Sequence, residues 1–236
     1  MTQHLGAVAK LWCYPVKSMR GEECELIELN ERGVTGDRVY AVYDAHRRLG
    51  SGKTTRRFRQ IDGLLDFRAA YRGEVPEITF PDGKRMLGSD PQIHAALSDR
   101  LRTPVTLARE DEIPHLDCGP VHLVTTAALA WLRATLPDAR VDERRFRPNL
   151  VIDAPGNTQV ERGWLGRTLC VGATVRLLVS EPTQRCRMTT LAQADLPPEP
   201  RVLASIIRDA DLVFGMYADV VVPGTIARND RCTLLP

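Results

Sequence analysis

Cysteine pairs at metal spacing are missing from this chain. Its six cysteines, Cys13, Cys24, Cys118, Cys170, Cys186 and Cys232, never approach a C-x-x-C arrangement, which excludes a sequence-local zinc or dithiol redox site. Their wide scatter argues against a disulfide framework and for a reducing, cytoplasmic setting. An excess of one charge is missing too, since 32 Lys and Arg stand against 30 Asp and Glu. No global field therefore draws the chain to nucleic acid or an anionic membrane, and any anion must be met by a local cluster. No apolar run approaches the length of a membrane span, and Met1-Thr2-Gln3-His4 does not open a leader segment. Neither a Gly-x-Ser-x-Gly elbow nor a His-Glu-x-x-His helix occurs, so hydrolase readings have only a cysteine to rest on. The histidines His4, His46, His94, His115 and His122 form no local metal pattern, and His122, inside Pro120-Val121-His122-Leu123, reads as a packed side chain.

What is present is punctuation. Seventeen glycines and 16 prolines separate short runs rich in β-branched and aromatic residues, the pattern of antiparallel sheets closed into barrels or stacked. Strands are expected over 7–13, 24–29, 38–43, 64–71, 77–80, 105–108, 150–153, 175–180, 213–222 and 232–235. Phe80-Pro81-Asp82-Gly83-Lys84 carries the Asp-Gly signal of a tight hairpin. Helices are few: 91–101 behind Ser89-Asp90, 125–136 from a Thr-Thr cap to Pro137, and a short one over 202–208. The end of the chain, 215–235, reads as two long strands joined by a turn that close a small barrel. A boundary is expected near Arg109 to Gly119, where the acidic, proline-containing stretch Glu110-Asp111-Glu112-Ile113-Pro114 interrupts the pattern. The expectation is a mainly β, α+β chain of two packed barrel-like domains, 1–110 and 111–236.

Chemistry concentrates around Cys186, which sits between Arg185 and Arg187 just after the apolar run 175–179. Fixed positive charge favours a thiolate, and the thiolate is the form that attacks electrophiles or binds soft metals. The alternative is a buried structural cysteine in a strand. Gly50-Ser51-Gly52-Lys53-Thr54 resembles a phosphate loop only in part, because the required glycine five positions before Gly52 is Arg47. Arg-Arg-Phe-Arg occurs twice, at 56–59 and 144–147. The first copy reads equally as a solvated basic face. The second leads into Pro148-Asn149 ahead of an apolar strand, a setting that aims Arg147 inward, where a guanidinium holds phosphate bidentately. Lys17-Ser18 after Tyr14-Pro15-Val16, and Asp37-Arg38, supply further cationic and hydroxyl groups at strand ends.

Taken together, Tyr14-Pro15-Val16-Lys17-Ser18, Asp37-Arg38, Phe146-Arg147-Pro148-Asn149-Leu150-Val151-Ile152, Arg185-Cys186 and Pro223-Gly224-Thr225-Ile226 resemble the MOSC family. The likeness spans nearly the whole chain and is greatest to two-part members with an amino-terminal β-barrel, similar to amidoxime-reducing components and their bacterial relatives. The resemblance implies a carboxy-terminal MOSC barrel and a molybdenum cofactor whose dithiolene shares the metal with Cys186. It places Lys17, Ser18, Arg38, Arg147 and Asn149 on the pterin and its phosphate, adds a hydroxyl contact from Thr125, and makes Arg185 the brace of the cysteine loop. It further implies oxygen-atom removal from a small N-hydroxylated or N-oxide substrate. Two electrons and two protons come from a separate ferredoxin, flavodoxin or cytochrome-type protein, since neither a ferredoxin-like cysteine cluster nor a pyridoxal-phosphate desulfurase half is present. The chain departs from such relatives at Thr183, where they carry a second cysteine, at Ala128, where they carry serine, and after the Thr-Thr pair, where Leu191-Ala192-Gln193-Ala194-Asp195 replaces an Asp-Pro-rich turn. The rival readings are a cofactor carrier or sulfur-transfer module using Cys186 without reductase turnover, and a metal-free cysteine enzyme.

Overall fold

Seven strands close on themselves in the computed structural model, which describes residues 3–235. Met1, Thr2 and Pro236, including half of the leader reading, lie outside the described residues. Around the barrel the order is Gln3–Cys13, Arg231–Leu234, Thr168–Val171, Val175–Gln184, Val213–Val222, Val121–Thr125 and Leu150–Asp153, which pairs back onto Gln3–Cys13. Each ladder is antiparallel except Val121–Thr125 with Leu150–Asp153. That pair is parallel because the helix Thr126–Thr135 lies in the connection between them, as a parallel crossover requires. Alternation fills the interior: Val175, Leu177 and Val179 point inward, meeting Leu123, Leu150, Leu169, Met216 and Leu234.

Two of these strands are buried on both faces. Met216 and Leu123 enter the barrel core, while Phe214 and Val124 face a second core under the helices Thr126–Thr135 and Pro200–Ala210. The latter helix presents Val202, Ile206 and Ala210 at four-residue spacing, starts with Pro at its first position and is capped by Glu199. Residues between 40 and 109 build a second β-rich unit. A four-stranded sheet (Val105–Arg109, Tyr40–Asp44, Leu49–Ser51, Phe58–Gln60) and a three-stranded one (Arg85–Leu87, Val75–Thr79, Arg68–Arg72) enclose a core of Val42, Phe67, Ile78, Phe80 and Leu97. The helix Ile93–Leu101 contributes Ile93 and Leu97 to it. The Asp-Gly hairpin forms as expected, with Gly83 at φ 88° and Phe80 N–H donating to Lys84 O at 2.8 Å.

Two expectations are corrected. The strand over 64–71 begins as a 3-10 turn, Leu64–Asp66, entered through Gly63 at φ 87°, so the extended segment is Arg68–Arg72. The carboxy-terminal hairpin does not form. Val213–Val222 and Arg231–Leu234 have different neighbours, because Pro223 cannot donate and the chain leaves the barrel for Gly224–Ala227, which pairs with Leu26–Asn30. Gln3–Cys13 is hydrogen-bonded into the barrel built otherwise from residues beyond 120, so the two β-rich parts are interlaced through the first strand.

Candidate functional site

Loops at strand ends from both parts of the chain converge on one cleft. Lys17 and Ser18 follow the strand Gln3–Cys13, and Arg38 precedes Tyr40–Asp44. Arg147 precedes Leu150–Asp153, and Arg185 and Cys186 follow Val175–Gln184. Six of the eight expected site residues therefore line the same space.

Backbone conformation aims several of them. Ser18, Arg38 and Arg147 all have left-handed backbones, at φ 65°, 52° and 54°. A non-glycine residue adopts this region at a cost, so three in one cleft mark a place where surroundings dictate geometry. The surroundings are visible. Ser18 Oγ donates to Gly50 O at 3.0 Å, and Arg38 is paired with fully buried Asp37, whose other oxygen accepts from Tyr14 N–H at 2.8 Å. The guanidinium carbons of Arg38 and Arg147 lie 4.9 and 4.3 Å from the Tyr14 ring centroid, a cation–π platform for both. Lys17 Nζ donates to His115 O and to Asp117 Oδ1, each at 2.7 Å.

Electrostatics in the cleft are strongly cationic. Burial, with Arg38 close by, pulls the Arg147 pKa down to about 10, which still leaves it charged at neutral pH. One N–H-bearing nitrogen of Arg147, Nη1, donates to Met19 O at 2.5 Å, while Nη2 has no partner. Arg185 donates to Phe146 O at 2.8 Å and leaves Nε without one. Buried guanidinium N–H groups lacking an acceptor are costly, and a bound anion is the natural acceptor. His122 bridges the two arginines. Arginine has no acceptor atom, so His122 Nε2, 3.3 Å from Arg185 Nη1, must accept, which puts the proton on Nδ1 for donation to Arg147 O at 3.3 Å. Burial and the Arg185 charge hold the His122 pKa well below its ordinary value, in agreement with this neutral form. The ring has room here because residue 215 is glycine, at φ 82°: a Cβ would stand 2.6 Å from Nε2.

Two of the expected residues do not line the cleft. Thr125 is fully buried away from the cleft: its hydroxyl accepts from Ala128 N–H at the helix start and donates to Glu161 Oε2 at 2.7 Å. Asn149 is likewise spent inside the protein, accepting from His122 N–H at 3.1 Å and donating to Trp12 O at 3.3 Å. It shapes the cleft by holding the His122 strand rather than by lining it. Arg187 points to solvent, so only Arg185 of the flanking pair faces the thiol's cleft.

Other lining residues were not singled out by sequence. Ser51 and Lys53 come from the glycine-rich segment and Arg57 and Phe58 from the first Arg-Arg-Phe-Arg copy, both brought to the cleft by the fold. Gly52 is needed there, since a Cβ would stand 2.6 Å from Met188 Sδ, just past the cysteine. Asp117 and Cys118 come from the loop read as a boundary, and Tyr217, its phenol pKa pushed up to about 12 by burial, completes the wall. Among the described residues no three His, Cys, Asp or Glu side chains come together as a metal site. A metal here would rest on Cys186 and on ligands brought by its own cofactor.

A closed seven-stranded barrel interlaced with a second β-rich unit, sharing a cationic cleft lined by Cys186 and Cys118, defines the class of protein. The chain matches the MOSC domain over residues 84–233 and the MOSC N-terminal beta barrel domain over 5–136. It belongs to the MOSC family. Similar proteins include mitochondrial amidoxime-reducing component 1 of Homo sapiens, 26% identical over all of this chain and 85% of the relative, and that of Mus musculus, 24% identical over 99% and 83%. The fold is similar to that of the YUAD protein from Bacillus subtilis, with a TM-score of 0.54 at 13% identity over 99% of this chain and 96% of that one. Among the described residues no helix is long and apolar enough to cross a membrane.

Arg147→Ala is expected to weaken retention of an anionic cofactor about 10- to 100-fold, the loss of one charge-assisted fork. Arg147→Lys, which keeps the charge but not the fork, should fall between. Dialysis followed by pterin fluorescence checks this, and equal retention by all three proteins would remove Arg147 from the site.

Proposed function

We propose that this chain is a molybdenum-cofactor oxidoreductase that removes an oxygen atom from small N-hydroxylated or N-oxide compounds, with electrons delivered by a separate protein. The observation that carries the reading is the cleft itself, where the Cys186 thiol lies with half-buried Arg147 and Arg185, each of which has one buried nitrogen without an acceptor. These residues fit a group that is anionic at one end and needs one soft ligand at the other. Cys186 would supply that ligand, and Lys17, Ser18, Arg38, Arg147 and Arg185 would hold the anionic portion. When bound, the cofactor supplies two-electron redox chemistry and accepts the oxygen.

The chain's own part is placement, charge and proton supply. The Tyr14 platform fixes Arg38 and Arg147, so their charges are in position before anything binds. His122 stays neutral and spends its one proton on Arg147 O, leaving no acid at that nitrogen. Tyr217 Oη keeps its proton across the neutral range and can donate it to a departing oxygen. The low identity to amidoxime-reducing component 1 supports the reaction class, and the departures at Thr183, Ala128 and 191–195 leave the substrate to be found by assay.

Purified protein carrying molybdenum and pterin is expected to reduce a benzamidoxime-type substrate to the amidine with an artificial low-potential donor. Metal and pterin bound at full stoichiometry without turnover of any amidoxime, hydroxylamine or N-oxide would overturn the reductase reading in favour of a carrier.

A further inference from the structure

One motif remains without a role. Between residues 47 and 59 stand Arg47, Arg48, Lys53, Arg56, Arg57 and Arg59 with no Asp or Glu among them. Six of the chain's 32 basic side chains fall in this segment, leaving 26 against 30 acidic ones elsewhere, so a nearly neutral protein carries a local pole. Arg56, Arg57 and Arg59 are exposed, and Lys53, Arg56 and Arg59 make no ion pair among the described residues. Lys53 and Arg57 are held against Phe58, with their charged groups 5.0 and 5.5 Å from its ring centroid. Both of them also line the Cys186 cleft.

The pole therefore begins at the cleft mouth and extends outward. Arg57 is shared with an adjoining groove that holds Arg47, Arg48, Arg56 and the exposed Ile113. Acidic side chains are present there as Asp111 and Glu112, and Asp111 is engaged with Arg47 at 3.2 Å. An apolar spot ringed by cations is the pattern of a protein contact. Unpaired rim charges act mainly on the rate of encounter with a partner of opposite sign.

We propose that this segment, with Arg56 and Arg59 at its exposed edge, is the landing surface for an acidic electron-carrying protein, which it steers to the mouth of the Cys186 cleft. The assignment rests on the reductase reading, since only a site that must be recharged with electrons needs a carrier at its mouth. Proximity decides the choice of partner: a nucleic acid or membrane surface gains nothing from two of its cations pointing into a catalytic cleft.

The test measures association of the full chain with an acidic plant-type ferredoxin and an acidic flavodoxin by biosensor, as salt is raised. Fast association at low salt with steep salt dependence is expected. The double variant Arg56→Glu, Arg59→Glu should slow association about 10-fold or more and flatten that dependence. Arg208→Glu with Arg228→Glu, the same change of charge elsewhere on the surface, should leave it within about 2-fold. Absence of association at low salt with both carriers, an equal effect of the two double variants, or binding of single-stranded DNA or phosphatidylserine vesicles as tight as that of the carriers would overturn the proposal. Because association is read without turnover, docking by a protein that reduces no N-oxygenated compound would sink only the reductase reading. Turnover with an artificial donor but no docking would sink only the landing surface.

Discussion

Cys186→Ser is expected to strip the protein of molybdenum while leaving its fold intact. Serine replaces a soft, polarisable ligand by a hard hydroxyl of nearly the same size, so the change falls on the metal and hardly on packing. Cys186 is half-buried at the end of Val175–Gln184, and its backbone rather than its sulfur does the local structural work: its carbonyl accepts from Thr189 N–H and Oγ1 at 3.1 and 3.0 Å. The substitution preserves both bonds. Metal per protein should fall by more than about 10-fold, with unfolding free energy changed by less than about 1 kcal/mol. Elemental analysis and denaturant titration of both proteins, made in a host that synthesises the cofactor, provide the comparison. Equal molybdenum in the two would take Cys186 out of its role, whatever became of activity.

The second large effect lies away from the cleft. Glu161 is fully buried, with one oxygen accepting from Thr125 Oγ1 at 2.7 Å and the other without a partner. Burial pushes its pKa up from 4.5 to about 7. The folded protein thus binds a proton that the unfolded chain has already released between those values, so stability declines as pH rises through this window. The decline attributable to this one group amounts to about 3 kcal/mol between pH 4.5 and 7. In Glu161→Gln that segment of the stability profile should flatten, because the amide does not titrate. Denaturant midpoints across the window decide the matter, and parallel curves for the two proteins would show that the carboxyl is relieved some other way.

Strands whose apolar run or alternation is unbroken were legible in the sequence, Val213–Val222 among them although its first half is dry on both faces, and a strand interrupted by a polar residue was not. Val175–Gln184 announced itself through Val175, Leu177 and Val179. Val121–Thr125 did not, since His122 reads as an interruption. The site followed the same division. Lys17, Arg38, Arg147 and Cys186 are charged or nucleophilic residues beside turns, so their chemistry and position are both written locally. Thr125 and Asn149 have equally suitable chemistry, yet a helix start and a neighbouring strand had prior use for their hydrogen bonds. Lys53, Arg57, Asp117 and Tyr217 reach the cleft only through pairings distant in the chain, and no spacing rule contains those.

Gln3–Cys13 has an implication for how the molecule is made. A ribosome releases that segment well before its two partners in the barrel, Leu150–Asp153 and Arg231–Leu234. Until they emerge only its end, Leu11–Cys13, has a mate, in Glu22–Cys24, and the barrel stays open whatever else has folded. Any attempt to express the two β-rich parts as separate pieces must carry this strand across to the later piece, by circular permutation, before either is given a chance to close.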